Sequence, residues 1–207
     1  MADSMTATVS ELLDRFASSA PLPGGGSAAA LTGALGVSLL LMVAGMAKTR
    51  TGAPQESADL TVVAERLRPL RDTLTALIDD DSIAYQAVMT AYRLPRQSDD
   101  ELTTRRRAIE SAMQGATAMP LRTMRACQEA LRHATAIVRF GNPNAVTDAA
   151  VGMRLLLAAL ESAAMNVEVN LPGVKDAEFV RASGDERRQL LSNARQLAAE
   201  VDAAIRQ

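Results

Sequence analysis

From Gly24 to Ala47 the chain carries no charged residue. A stretch of that length must be buried, either in protein or in lipid. It is introduced by Pro21-Leu-Pro-Gly-Gly-Gly-Ser27. Pro21 and Pro23 end the helix before it, and Gly24, Gly25 and Gly26 allow a close backbone approach. Ser27 stands where the next helix begins. Such a helix start offers free backbone N–H groups and a partial positive charge. The loop therefore suits an anionic group. It equally suits a tight contact between two backbones. The run is rich in Gly, Ala and Ser, which favours a buried helix over a membrane span. Its small residues Ala29, Gly33, Gly36 and Ala44 would let neighbouring helices pack closely, within the chain or across a subunit interface.

Composition makes that helix one of many. Of 207 residues, 48% are apolar but only 2% are aromatic, and Trp is absent. Ala and Leu dominate and favour helices. No alternating run of β-branched and aromatic residues marks a strand. The expectation is an all-α single domain over residues 1–207, a bundle of about seven or eight helices around a buried central one. Thr8 with Glu11 forms a capping box that opens a first helix to about Ser19. The uncharged helix follows, about Ser27 to Ala47. A third runs from about Gln55 to Asp79, kinked or interrupted near Pro69. A further helix carries Asp80, Asp81, Tyr85 and Met89. Ser98 with Glu101 caps one to about Ala118, and Pro120 opens the next, which ends at Phe140-Gly141. Another runs from about Val146 to Asn170, and Ser183 with Glu186 caps the last, to about Ile205.

Charge and rare residues exclude several functions. The net charge is −2, so no basic field exists to attract nucleic acid. Cys127 is the only cysteine and His133 the only histidine. Together they cannot build a typical zinc site, a serine triad would rest on His133 alone, and no metal is expected. One cysteine is compatible with a reducing compartment. Met1 to Thr8 lacks the basic and apolar regions of a signal peptide. A cytoplasmic location, with no membrane partner, is the expectation.

Three polar clusters remain. The first is the glycine loop with Ser27. The second is Asp79-Asp80-Asp81 with Tyr85. Asp81 and Tyr85 share a helix face at i, i+4, while adjacent acids at a helix start also serve as dipole partners. The third is Gly141-Asn-Pro-Asn-Ala-Val-Thr-Asp148, an amide-rich turn at a helix start. It could read a heterocycle, or Asn144 or Thr147 could simply cap the helix. Asn166 and Asn170 lie farther along that helix. Asn166 follows Asp148 by 18 residues, five turns, on the same face but about 27 Å away. One small ligand cannot touch both within one subunit. The two asparagines line another part of an extended ligand, or pair across a subunit contact.

Pro21-Leu-Pro-Gly-Gly-Gly-Ser27, Met42-Val43, Asp81, Val88-Met-Thr-Ala-Tyr-Arg-Leu-Pro95, Gly141-Asn-Pro-Asn144, Thr147-Asp148 and Asn166-Val-Glu-Val-Asn170 occur in that order. Together they resemble the cyclodeaminase/cyclohydrolase family. That family includes the C-terminal domain of formiminotransferase-cyclodeaminase and free-standing methenyltetrahydrofolate cyclohydrolases. The resemblance covers nearly the whole chain. It implies an all-helical homodimer, a tetrahydrofolate derivative as substrate and no separate cofactor. It also implies a site around the glycine loop and the Asn-Pro-Asn turn, with Pro23, Gly24, Gly25, Gly26, Ser27, Asn142, Asn144, Asn166 and Asn170 binding substrate. Tyr85 stands where the family more often has Phe. The family's basic segment after the uncharged helix is reduced here to Lys48 and Arg50. If that segment holds the glutamate tail or assists proton transfer, this chain does so differently.

The implied chemistry needs a positioned carboxylate to stabilise the cationic methenyl substrate and take a proton from water. Asp148 is the first candidate and Asp81 the second. In the cyclodeaminase reaction an acid must serve the leaving amine, and Tyr85 or Lys48 fits. Hydrolysis of 5,10-methenyltetrahydrofolate to 10-formyltetrahydrofolate is the first expectation. Ammonia release from formiminotetrahydrofolate is the alternative. A non-catalytic folate-binding or scaffold protein is the third, motivated by the altered Lys48–Pro54 segment.

Overall fold

The computed structural model describes residues 6–206, so Met1 to Met5, part of the segment read for a signal peptide, lie outside it. Among the described residues there are six α-helices and no strand. They are α1 (Val9–Ala17), α2 (Gly25–Ala44), α3 (Pro54–Tyr92), α4 (Asp99–Phe140), α5 (Val146–Asn170) and α6 (Ala177–Ile205). Short 3-10 turns at Pro143–Ala145 and Leu171–Gly173 flank α5. The capping boxes at Thr8/Glu11 and Ser98/Glu101 both form, with each Glu reaching back to its cap residue's backbone.

The expected seven or eight helices become six because two prolines are carried inside helices. Pro69 lies within α3, so the helix with Asp81 and Tyr85 is not separate. Pro69 and Glu65, whose carbonyl loses its helical donor, are both exposed, so that carbonyl is open to solvent. Pro120 lies within α4 rather than opening a helix. It is buried, so water cannot repair the break. The orphaned carbonyl is that of Ala116, four residues earlier. Asn170 Nδ2 donates to that oxygen at 3.0 Å. A side chain from α5 thus replaces the missing N–H and lets α4 run through.

The expected cap at Ser183 also fails. Ser183 is buried inside α6, and Glu186 pairs with Arg125 at 2.6 Å. The helix begins earlier, where Asp176 Oδ1 accepts the backbone N–H groups of Glu178 and Phe179. Asp176 is itself a favoured cap residue.

Helices α2, α3, α4 and α5 pack side by side, with α6 laid over α4 and α5. Leu40, Leu67, Leu74, Met124, Leu131, Met153, Leu156 and Leu160 fill the space between them. The small residues of α2 are used inside the chain. A Cβ on Gly36 would lie 2.8 Å from the Gly152 carbonyl oxygen, and one on Gly33 would lie 2.9 Å from Cys127 Sγ. Backbone therefore meets backbone where α2 crosses α5. Burial pushes the Cys127 thiol up to about 12, so it is a packing group rather than a nucleophile. By length and composition α2 could cross a membrane, but 56% of its most apolar window is packed inside the protein. Leu35 and Met42 stay exposed, so this chain alone does not enclose α2 on all sides.

The Pro120–Asn170 repair makes a quantitative expectation. Asn170→Leu leaves the Ala116 carbonyl without a donor and should cost about 1–3 kcal/mol in urea unfolding. In a Pro120→Ala background, where the helix supplies its own N–H, most of that cost should vanish.

Candidate active site

The glycine loop ends against α3. Gly24 is the N-cap of α2 in an extended conformation, after a cis peptide between Leu22 and Pro23. Ser27 lies in the first turn and is fully buried. Its Oγ donates to Asp81 Oδ2 at 3.1 Å and lies 3.3 Å from Ser82 Oγ. The Asp81 carboxylate fills the space beside Gly26, where any Cβ would collide with it. The other glycines are not constrained in this way. A Cβ on Gly25 would make an ordinary 3.7 Å contact with Asn166, and one on Gly24 a 3.7 Å contact with the Pro21 carbonyl. None of the three has a positive φ. The close contact at the loop is between Gly26 and a side chain rather than between two backbones, and an anionic group does stand at the helix start. The anion is the protein's own.

Burial pushes the Asp81 carboxyl above its usual range. The Ser27 hydroxyl and backbone pull the other way without cancelling it. A half-buried carboxyl with a raised pKa, held by a serine, has the properties of a general acid–base group. Asp80 does not share its setting. Asp80 pairs with Arg122 at 3.3 Å on the surface.

Tyr85 stands one turn beyond Asp81 on α3 and is 40% exposed. It borders a groove of about 330 Å³ with Pro21, Leu22 and Met89. Asn166 lies on the other side of the loop. Its Nδ2 donates to the Ser162 carbonyl at 3.0 Å, which leaves Oδ1 facing Gly25. Asn170 is occupied by the Ala116 carbonyl. One end of the bundle thus gathers Pro23, Gly24, Gly25, Gly26, Ser27, Asp81, Tyr85, Asn166 and Asn170.

The other expected site residues lie at the opposite end of α5. Asn142 Oδ1 accepts the Asn144 backbone N–H at 2.9 Å and closes the turn. Neither Asn144 nor Thr147 caps α5, whose N-cap Ala145 has no side-chain cap. Asp148 is in the first turn of α5 and makes no hydrogen bond or ion pair among the described residues. Arg50 braces this end. Its backbone N–H donates to the Phe140 carbonyl and its Nη2 to the Val138 carbonyl, both at 3.0 Å. Lys48 is exposed nearby. Asp148 and Asn166, 18 residues apart on one straight helix, stand about 27 Å apart. The chain does not bring its two motif clusters together.

The fold and the Ser27–Asp81 arrangement define an all-helical protein with a half-buried carboxyl held at a glycine-loop helix start. The formiminotransferase-cyclodeaminase family model matches residues 8–189, and the chain belongs to that family. It is 41% identical over 187 residues to a methenyltetrahydrofolate cyclohydrolase of Methylorubrum extorquens, covering 90% of each chain. It is 30% identical over 183 residues to a formimidoyltransferase-cyclodeaminase of Gallus gallus, covering 88% of this chain and 34% of that one. The fold matches a crystal structure of formiminotetrahydrofolate cyclodeaminase from Thermotoga maritima. That match has a TM-score of 0.86 at 23% identity and covers 98% and 97% of the two chains.

The contact between Gly26 and Asp81 separates the glycines by experiment. Gly25→Ala should leave the urea midpoint and activity nearly unchanged. Gly26→Ala must displace the carboxylate and should lower kcat/KM by 100-fold or more, on the order of losing an acid–base group. Equal effects at the two positions would contradict this.

Proposed function

We propose that this chain hydrolyses 5,10-methenyltetrahydrofolate to 10-formyltetrahydrofolate. The observation that carries the reading is the Asp81 carboxyl, raised by burial and held by Ser27 beside the glycine loop. The similarity to the Methylorubrum enzyme over 90% of both chains supports hydrolysis over ammonia release. Ionised Asp81 would stabilise the substrate's amidinium cation and accept a proton as water adds to the bridging carbon. The tetrahedral adduct then loses its bond to N5. Asp81 returns its proton to N5, and the hydroxyl proton of the adduct leaves to solvent as the formyl carbonyl forms. A carboxyl with a raised pKa exchanges protons more readily near neutral pH than an ordinary aspartate. Asp81 therefore displaces Asp148 as the first candidate for the base.

The reading includes a homodimer. Val151, Leu155, Ala158, Ser162, Met165 and Val169 form an uncharged stripe on α5, where Met165 is 69% and Val169 78% exposed. Leu35 and Met42 extend α2 beside it. An apolar face of this length is fitted to a second copy. If the helices of the two copies run antiparallel, the Asp148 end of one meets the glycine-loop end of the other. Asn142, Asn144, Asp148 and Lys48 would then complete a site built on the partner's Asp81.

The direct test follows the absorbance of methenyltetrahydrofolate. Wild-type protein should accelerate its loss, and Asp81→Asn should reduce the rate by about 10²–10⁴-fold. No acceleration by a folded protein would refute the reading, and ammonia release from formiminotetrahydrofolate would replace it with cyclodeamination. Mixing addresses the shared site. Asp81→Asn and Asp148→Asn proteins, each inactive, should regain roughly a quarter of wild-type activity after subunit exchange, because half the dimers then hold one intact site. No recovery in exchanged dimers would place both residues in one subunit's site.

A further inference from the structure

Helix α2 carries three hydroxyl side chains, and one of them behaves differently from the others. Thr32 Oγ1 donates to the Ala28 carbonyl at 2.8 Å, and Ser38 Oγ to the Ala34 carbonyl at 2.7 Å. Both turn back onto their own helix, a common resting place for a helical hydroxyl. Ser27 does not. Its Oγ leaves α2 and meets two consecutive side chains of α3, Asp81 Oδ2 at 3.1 Å and Ser82 Oγ at 3.3 Å. The contact with Asp81 belongs to the reaction centre proposed above. The contact with Ser82 is not explained by it.

Counting protons gives the Ser82 contact a direction. A serine hydroxyl has one proton and two lone pairs. Ser27 spends its proton on the ionised carboxylate, so toward Ser82 it can only accept, and Ser82 is the donor. Ser82 is 5% exposed and Ser27 fully buried, which keeps solvent from competing for either. Ala30 and Ile78, each one helical turn from one of these serines, belong to one apolar cluster with Leu77. In such a setting a chain of hydrogen bonds that all point one way strengthens each member. Here the chain ends on the Asp81 charge.

We propose that Ser82 is a positioning residue for the reaction: its hydroxyl donates to Ser27 and so aims the Ser27 proton at the Asp81 carboxylate. The inference rests on the acid–base reading of Asp81. With Ser82 in place, one lone pair of Ser27 is taken and its hydroxyl is held away from α2. Without Ser82, the Ser27 hydroxyl is free to turn back on the Pro23 carbonyl, four residues earlier, as Thr32 and Ser38 do on theirs. Ionised Asp81 then loses part of its support. When Asp81 holds a proton on Oδ2, the chain runs the other way. Asp81 donates to Ser27, and Ser27 to Ser82. The same three oxygens thus serve both states of the base without a side chain moving.

Within the chain, burial and Ser27 are what act on the Asp81 carboxyl. The sequence is uncharged from Phe16 to Ala47, so α2 brings no charge to it. From α4, Arg122 faces this part of α3 and pairs with Asp80. On α3 itself Tyr85 stands one turn on. In the dimer proposed above, Lys48 and Asp148 of the partner subunit would face Asp81 too, and they are the same in every variant compared.

The pH dependence of kcat/KM for methenyltetrahydrofolate tests this, since its acidic limb follows ionisation of Asp81 in the free enzyme. In Ser82→Ala the limb should move up by about half a pH unit. Activity below the limb should then fall about threefold, with the plateau within about twofold of wild type. In Ser27→Ala, which lacks the intermediary, the limb should move further up, and adding Ser82→Ala should move it no more. Urea unfolding checks that each variant is folded. An unmoved limb in Ser82→Ala, or an equal shift in the Ser27→Ala background, would overturn the role of Ser82 while leaving Asp81 as the base. A wild-type profile with no acidic limb, or no activity on the folate, would overturn both.

Discussion

The Asp81 carboxylate lies against the α carbon of Gly26, and the candidate site depends on that contact. A side chain at Gly26 would collide with it. The contact lets the start of α2 reach Asp81 with both the Ser27 hydroxyl and its backbone. Two opposed effects then act on one group. Burial disfavours the charged form, and the helix start favours it. Burial prevails, so the carboxyl is raised above its ordinary range. That balance suits the proton transfer proposed for Asp81.

The rest of the bundle delivers the loop to that place. Helix α2 packs closely on α3, α4 and α5 because Gly33, Gly36 and Gly152 lack the side chains that would hold the helices apart. Helix α4 runs unbroken through Pro120, and Asn170 makes this possible. The same asparagine sits one turn from Asn166, which faces the glycine loop. One α5 segment thus supports both the frame and the site.

Much of this was legible in the residues. The helical class followed from Ala and Leu content and the missing strand patterns. Two of three expected capping boxes formed because Thr8 and Ser98 stand at true helix starts. Ser183 and Glu186 have the same spacing but lie inside a helix that Asp176 had already begun. Pro69 and Pro120 misled the helix count, since local sequence does not show that one freed carbonyl is open to solvent and the other is served by a distant Asn170. The distance between Asp148 and Asn166 was readable from helix geometry alone. The preference for Asp81 over Asp148 was not, because it arises from contacts across more than fifty residues. The part played by Ser82 was hidden too, because its partner Ser27 lies 55 residues away.

The central claim is that a raised, ionisable Asp81 carboxyl is held at the glycine-loop start of α2. Carbon-13 NMR titration of the aspartate carboxyls, with Asp81 assigned by its loss in Asp81→Asn, measures this directly. The account requires Asp81 to titrate above the surface aspartates, and to titrate higher still in Ser27→Ala, where the hydroxyl that favours its ionised form is gone. A midpoint at or below the surface aspartates in the wild-type protein would contradict it.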